Sequence, residues 1–166
     1  MMQYNGSAAP VAQISLAQLR SNPCFRFDFI GVSLGCNSTD APCDFNIAGI
    51  QWNGVSDVRQ ANKTMKIAAC SDPANCTLGH QVLDSAAALQ FTNLTALNIT
   101  LTVAGQPQTW WADDLQISWT DNGCAAASCR AQVPNNIMFT PKSSTLVGRA
   151  RGFLRWAARR RASGQI

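Results

Sequence analysis

The chain has no glutamate, only three lysines and a single histidine, His80. Charged residues make up 13% of its 166 positions, about half the usual quarter. Long solvated helices draw heavily on Glu and Lys, so this chain is poorly supplied for them. One histidine nearly excludes a histidine-rich metal site and most histidine-based catalytic sets. No apolar run reaches the ~18 residues of a membrane-spanning helix. No CxxC, GxSxG, HExxH, P-loop or dinucleotide fingerprint occurs, and there is no repeat at a propeller or solenoid period. An N-terminal histidine of the kind a copper brace requires is absent too.

What is present is 46% hydrophobic residues, enough for one domain with a real core. Charge is divided unevenly. Residues 1–140 hold six Lys/Arg against nine Asp, a net −3, whereas 141–166 hold Lys142 and six arginines without an acid, a net +7. No nucleic-acid partner is expected of the globular part. Any contact with an anionic surface would fall to the tail, where Arg151, Arg155 and Arg159 recur every four residues beside Phe153, Leu154 and Trp156. The division expected is a loose lead-in over 1–23, a sandwich domain over 24–140, and a basic tail over 141–166 that is flexible or forms a short helix.

Seven cysteines fall into three close pairs plus Cys24. Cys36/Cys43, Cys70/Cys76 and Cys124/Cys129 each bracket a short polar or small-residue stretch, as loops stapled at their base do. Cys24 is left with a partner outside the segment or as a buried thiol. Six N-x-S/T triplets occur, at Asn5, Asn37, Asn62, Asn75, Asn93 and Asn98. Asn37, Asn62, Asn75 and Asn93 are the expected glycan carriers, Asn98 falling inside a strand-like run. Both signals point to a secreted, extracellular or cell-wall protein. Met1–Asn22 does not read as a secretory leader, so the segment is expected to be cut from a longer precursor or read from a late start.

The dominant period is two. Phe25, Phe27 and Phe29 alternate with Arg26, Asp28 and Ile30, and Gly31 marks a bulge. Phe45, Ile47 and Ile50 run to the Asn53-Gly54 turn signal. Leu97, Ile99, Leu101 and Val103 alternate with Asn98, Thr100 and Thr102. In 110–119, Trp111, Leu115, Ile117 and Trp119 share one parity, which predicts Trp111 in the core and Trp110 on the surface. Only Asp84–Leu89 looks helical within this region. Several short strands separated by turns predict an all-β, antiparallel β-sandwich.

Four segments carry a resemblance: LGCNSTDAPCDFNIAGIQW, IAACSDPANCTLGHQVLD, FTNLTALNITLTV and WWADDLQISWTDNGCAAASCR. In this order they closely resemble a family of secreted fungal proteins known as domain of unknown function 7371, over about residues 24–138. The resemblance implies a galactose-binding-like jelly roll of the kind found in carbohydrate-binding modules. The chain departs from the family pattern in lacking a longer N-terminal part with an F-D-D-L-type segment and in adding the basic tail.

The expected ligand-binding residues are Trp52 and Trp110, as aromatic faces for sugar rings, with Asp113 and Asp114. As neighbours on a strand, the two aspartates should point to opposite faces, which rules them out as a glycosidase pair. Their main expected role is hydrogen bonding in a loop, with calcium the minority alternative and no other cofactor implied. A monomeric, non-catalytic module that binds glycans or the cell wall is the leading expectation. A structural or adhesive glycoprotein domain is the second. A hydrolase using dispersed acids such as Asp28, Asp57 and Asp114 is the weakest.

Overall fold

A computed structural model describes residues 2–5, 11–70 and 76–132. The basic tail and Asn75 lie outside the described residues. Nine strands, β1 (Met2–Asn5), β2 (Ala12–Ser15), β3 (Phe27–Cys36), β4 (Cys43–Trp52), β5 (Asp57–Ile67), β6 (Gly79–Val82), β7 (Ala96–Val103), β8 (Gln106–Pro107) and β9 (Thr109–Trp119), are joined by two short helices, α1 (Ser85–Gln90) and α2 (Cys124–Gln132). One sheet has the order β1-β9-β3-β6 and the other β2-β7-β4-β5, with β8 pairing β7. Every pairing is antiparallel. The chain is an antiparallel β-sandwich, as the period-two pattern predicts.

Alternation sets the core. On β7, Leu97, Ile99 and Leu101 are buried while Asn98, Thr100 and Thr102 are not. Their partners Phe45 and Ile47 on β4 face the same interior, in register Phe45↔Leu101 and Ile47↔Ile99. The opposing sheet contributes Phe27, Phe29, Val32 and Leu34. Each such side chain stabilises by roughly 1.5–3 kcal/mol on full burial. Aromatic contacts join the layers: Phe29 meets Phe91 at 5.8 Å and Phe45 meets Trp110 edge-on at 5.6 Å. Leu115 and Ile117, also expected inside, are partly buried against this cluster, as is Ile67.

Local chemistry explains the turns. Asn53 Oδ1 accepts from the backbone N–H groups of Val55 and Ser56, both at 2.9 Å, and Gly54 takes φ 100°, closing the β4–β5 hairpin. Asp84 caps α1 by accepting from Ala87 N at 2.8 Å.

Residues 1–23 are not merely a loose lead-in. β1 pairs with β9 through Tyr4↔Trp110, and β2 pairs with β7 through Ile14↔Leu97. Tyr4 and Leu16 are buried, so this segment supplies an edge strand to each sheet.

The cysteine pattern also needs one correction. Cys36–Cys43 and Cys70–Cys76 are bonded, but Cys129 bonds Cys24, and Cys124 is free and exposed. The expected Cys124/Cys129 staple fails because 124–132 is a helix rather than a loop. Residues five apart on a helix are rotated by about 140° and cannot meet. The bond to Cys24 instead fixes α2 beneath the Pro23–Phe25 turn.

Candidate functional site on the outer face of the four-stranded sheet

The pairing of β3 with β9 contains two compensating irregularities. Ile30 is an extra residue on β3 between the pairs Phe29↔Ile117 and Gly31↔Gln116. An extra residue follows on β9 between Gly31↔Gln116 and Ser33↔Asp113. Asp114, with φ 48°, lies at this second bulge in the left-handed region. Gly31 therefore does sit at a bulge, as its position in the strand suggested.

The bulges reverse the side-chain phase of both strands. Phe27 and Phe29 point inward, then Val32, Leu34 and Cys36 do. On β9, Leu115, Ile117 and Trp119 pack against the core, but on the other side of the bulge Ala112 and Trp110 are the buried residues. The expected roles of the adjacent tryptophans are thus exchanged. Trp110 is 3% exposed, its ring tilted against Tyr4 at 5.1 Å, and cannot be a surface platform. Trp111 points outward opposite Gly35 of β3. Parity counted through an unbroken strand misassigned the pair because one residue in the middle of β9 is unpaired.

The bulge also overturns the expectation that Asp113 and Asp114 face opposite ways. Asp113 lies opposite Ser33 in the ladder, and Asp114 Oδ2 accepts from Ser33 Oγ at 3.4 Å. On the other side Ser33 pairs with His80, whose Nδ1 is 3.0 Å from the same Oγ. Ser33 has one hydroxyl hydrogen and two available neighbours. When it donates to Asp114, it accepts from a protonated His80 Nδ1. Sequence reasoning missed Ser33, and with it the partner that makes His80 a hydrogen-bonded strand residue. The only available signal was an outward polar position on a strand that otherwise turns inward.

Next to this polar row lies a shallow apolar cavity of about 220 Å³. Trp111, Gly35, Leu78, Ile67 and the Cys70–Cys76 staple line it. Gly35 leaves room there: a Cβ would lie 2.6 Å from Leu78 Cδ2 and would push that side chain aside. The missing side chain lets Leu78 settle against the sheet beside Trp111.

The remaining sequence candidates lie elsewhere. Trp52, at the far end of β4, has the Arg20 guanidinium carbon 4.0 Å from its ring centre and gives its carbonyl to Arg26 Nη2 at 3.2 Å. Arg20 also pairs with Asp57 at 3.2 Å. Trp119 lies under Arg130 at 4.9 Å. The dispersed acids are not brought together: Asp57 meets Arg20, Asp28 accepts from Asn93 N, and Asp114 meets Ser33. Among the described residues no group of three or more His, Cys, Asp or Glu side chains converges as metal ligands would.

Of the candidate glycan carriers, Asn37 directly follows β3 and is exposed, as is Asn62 on β5. Asn93 is half-buried at φ 57°. Asn98 accepts from Gln13 Nε2 at 2.9 Å across the β2–β7 pair. Strands β3, β6 and β9 carry no N-x-S/T triplet.

Three disulfides in a chain this small mark an extracellular type of domain. Among the described residues no helix is long and apolar enough to cross a membrane. Residues 2–130 match a family described as a domain of unknown function, DUF7371, and the chain belongs to that family. No curated protein and no solved structure matches the chain.

Proposed function

We propose that this domain is a secreted, non-catalytic module at the fungal surface that binds glycans on the outer face of its four-stranded sheet. The carrying observation is Trp111. Among the described residues it is the one aromatic side chain that is neither in the buried core nor packed against a guanidinium. Sugar rings have an apolar C–H face and a polar rim. An outward indole bordered by carboxylates matches both, the ring covering the apolar face and Asp113 and Asp114 accepting from hydroxyls. The resemblance to galactose-binding jelly rolls supports the same reading by analogy of fold.

A glycan array probed with the oxidised domain tests this, with Trp111→Ala as the matched variant. Wild-type protein should bind a discrete set of glycans, and Trp111→Ala should lose on the order of 30-fold in affinity, as a central aromatic anchor does, with its melting temperature little changed. If the wild-type domain binds no glycan, the structural or adhesive reading takes its place. The observation favouring that second reading is that exposed Asn37 and Asn62, together with the disulfides, would serve durability without any ligand.

A further inference from the structure

Resting on the glycan reading above, we infer that the site receives a single neutral sugar ring at the end of a chain, not an internal stretch of polymer. A polymer lying along a sheet gains stacking affinity from each further ring only where a further aromatic face receives it. The described surface offers one. Tyr4, Trp110 and Phe25, Phe27, Phe29, Phe45 and Phe91 are buried. Trp52 and Trp119 lie beneath arginines at the other end of the sandwich.

The surroundings of Trp111 confine the ligand on one side and offer it polar partners on another. Leu78, beside Gly35, stands with Ile67 and the Cys70–Cys76 staple as the wall of the cavity. Its volume of about 220 Å³ falls below the roughly 300–1,000 Å³ of clefts that engulf larger ligands. Along the strands, Ser33 is two residues from Gly35, and Asp113 two from Trp111, on the same outward face. Two residues along a strand span about 7 Å, so the polar row lies within reach of the rim hydroxyls of one ring seated on Trp111. His80 completes that row through Ser33.

The chemistry of the row also sets the ligand class. Two carboxylates offer acceptors for hydroxyl donors, and they repel a ligand carboxylate at short range. A neutral hexose satisfies them; a uronic acid does not. Asp113 and Asp114 therefore act as specificity-determining residues, and Ser33 as a positioning residue that holds Asp114 by its hydrogen bond.

Titration of the isotopically labelled, oxidised domain, followed by the amide signals of Gly35, Leu78 and Asp113, tests this. The probes are methyl glycosides of galactose, glucose and mannose, linear homo-oligomers of each up to six units, and methyl galacturonide. At least one neutral methyl glycoside should shift these signals, and its hexamer should bind less than about threefold more tightly per chain end. Methyl galacturonide should bind at least tenfold more weakly than methyl galactoside. Affinity that rises more than threefold with length overturns the single-ring inference while leaving glycan binding standing. Equal or tighter binding of the galacturonide overturns the assigned role of the carboxylates. Absence of any shift with every neutral sugar, on a domain whose spectrum shows it folded, overturns both this inference and the glycan reading on which it rests.

Discussion

The two outer faces of the sandwich follow the same alternation and finish as different surfaces. On the five-stranded sheet, outward side chains meet across regular ladders. Lys66 Nζ lies 3.5 Å from Asp44 Oδ1, Thr100 Oγ1 donates to the Asn46 carbonyl at 3.4 Å, and Gln13 meets Asn98. Short polar groups there satisfy one another in rows, and Asn62 of β5 lies in the row through Ala48 to Asn98. On the four-stranded sheet the ladder is interrupted twice, and the outward set is Trp111, Ser33, His80, Asp113 and Asp114, with exposed Ile30 and Val82 toward the other end. Regular pairing uses up hydrogen-bonding capacity within the sheet. Interrupted pairing turns larger side chains outward and sets Ser33, His80, Asp113 and Asp114 side by side.

Four changes would break or sharpen this contrast. The largest concerns the disulfides. Replacing Cys24 and Cys129 by serine opens a loop with a sequence separation of 105, for which chain entropy alone gives roughly 4–5 kcal/mol. The same treatment of Cys36–Cys43, which ties β3 of one sheet to β4 of the other across a separation of 7, should cost about 2 kcal/mol. Urea melts of the two double variants would rank them. Equal losses would mean that loop length is not what sets the stabilisation.

A smaller effect, with opposite signs for stability and binding, is expected at the second bulge. Asp114→Gly removes the left-handed strain of a residue with a Cβ and should raise stability by about 0.5–1 kcal/mol, while weakening sugar binding. Calorimetry on one sample can read both. A fall in stability would show that the Ser33–Asp114 bond outweighs the strain.

The third change lies where α1 meets β5. The Ala87 N–H, followed by Lys63 at 2.9 Å, holds the Asp84 carboxyl below its ordinary value. A depressed carboxyl stabilises the fold above its unfolded pKa and loses that contribution as pH falls through its folded pKa. Asp84→Ala should therefore melt below wild type at neutral pH, and the gap should close as the pH is lowered below about 4. A gap constant with pH would assign the effect to helix propensity alone.

The smallest effect belongs to the regular face. Thr100→Ala should change stability by no more than about 0.5 kcal/mol and leave sugar binding unaltered. A loss of binding there would move the ligand to the other sheet.

The fold was legible because burial writes itself into sequence as alternation. Leu97, Ile99 and Leu101 needed only their spacing, and Asp84–Leu89 read as the one helical stretch of that region. The family segments added the same answer. The candidate site was less legible, for reasons that share a cause. Trp110 and Trp111 were exchanged because φ at Asp114 carries no mark in the residue string, aspartate being ordinary in turns and strands alike. Ser33 and His80 are 47 apart in sequence, and only the β3–β6 register joins them. Cys24 and Cys129 are joined in the same way by three-dimensional closure, whereas Cys124 merely sat at a convenient distance along the chain. Short-range patterns report which way a residue faces; they do not report which distant residue it meets.

The paired bulges of β3 and β9 carry an evolutionary consequence. One inserted residue in a single strand would turn half of its side chains inside out. Two, one in each partner, cancel in register beyond Ser33 and leave both ends of the ribbon aligned. Among relatives of this domain, loss of the residue at Ile30 should travel with loss of one at Asp114, as a matched pair of gaps more than eighty positions apart. A lineage that deleted only one of them would have to rebuild its core aromatics on one strand, and the tryptophan that now faces outward would be the first to change places.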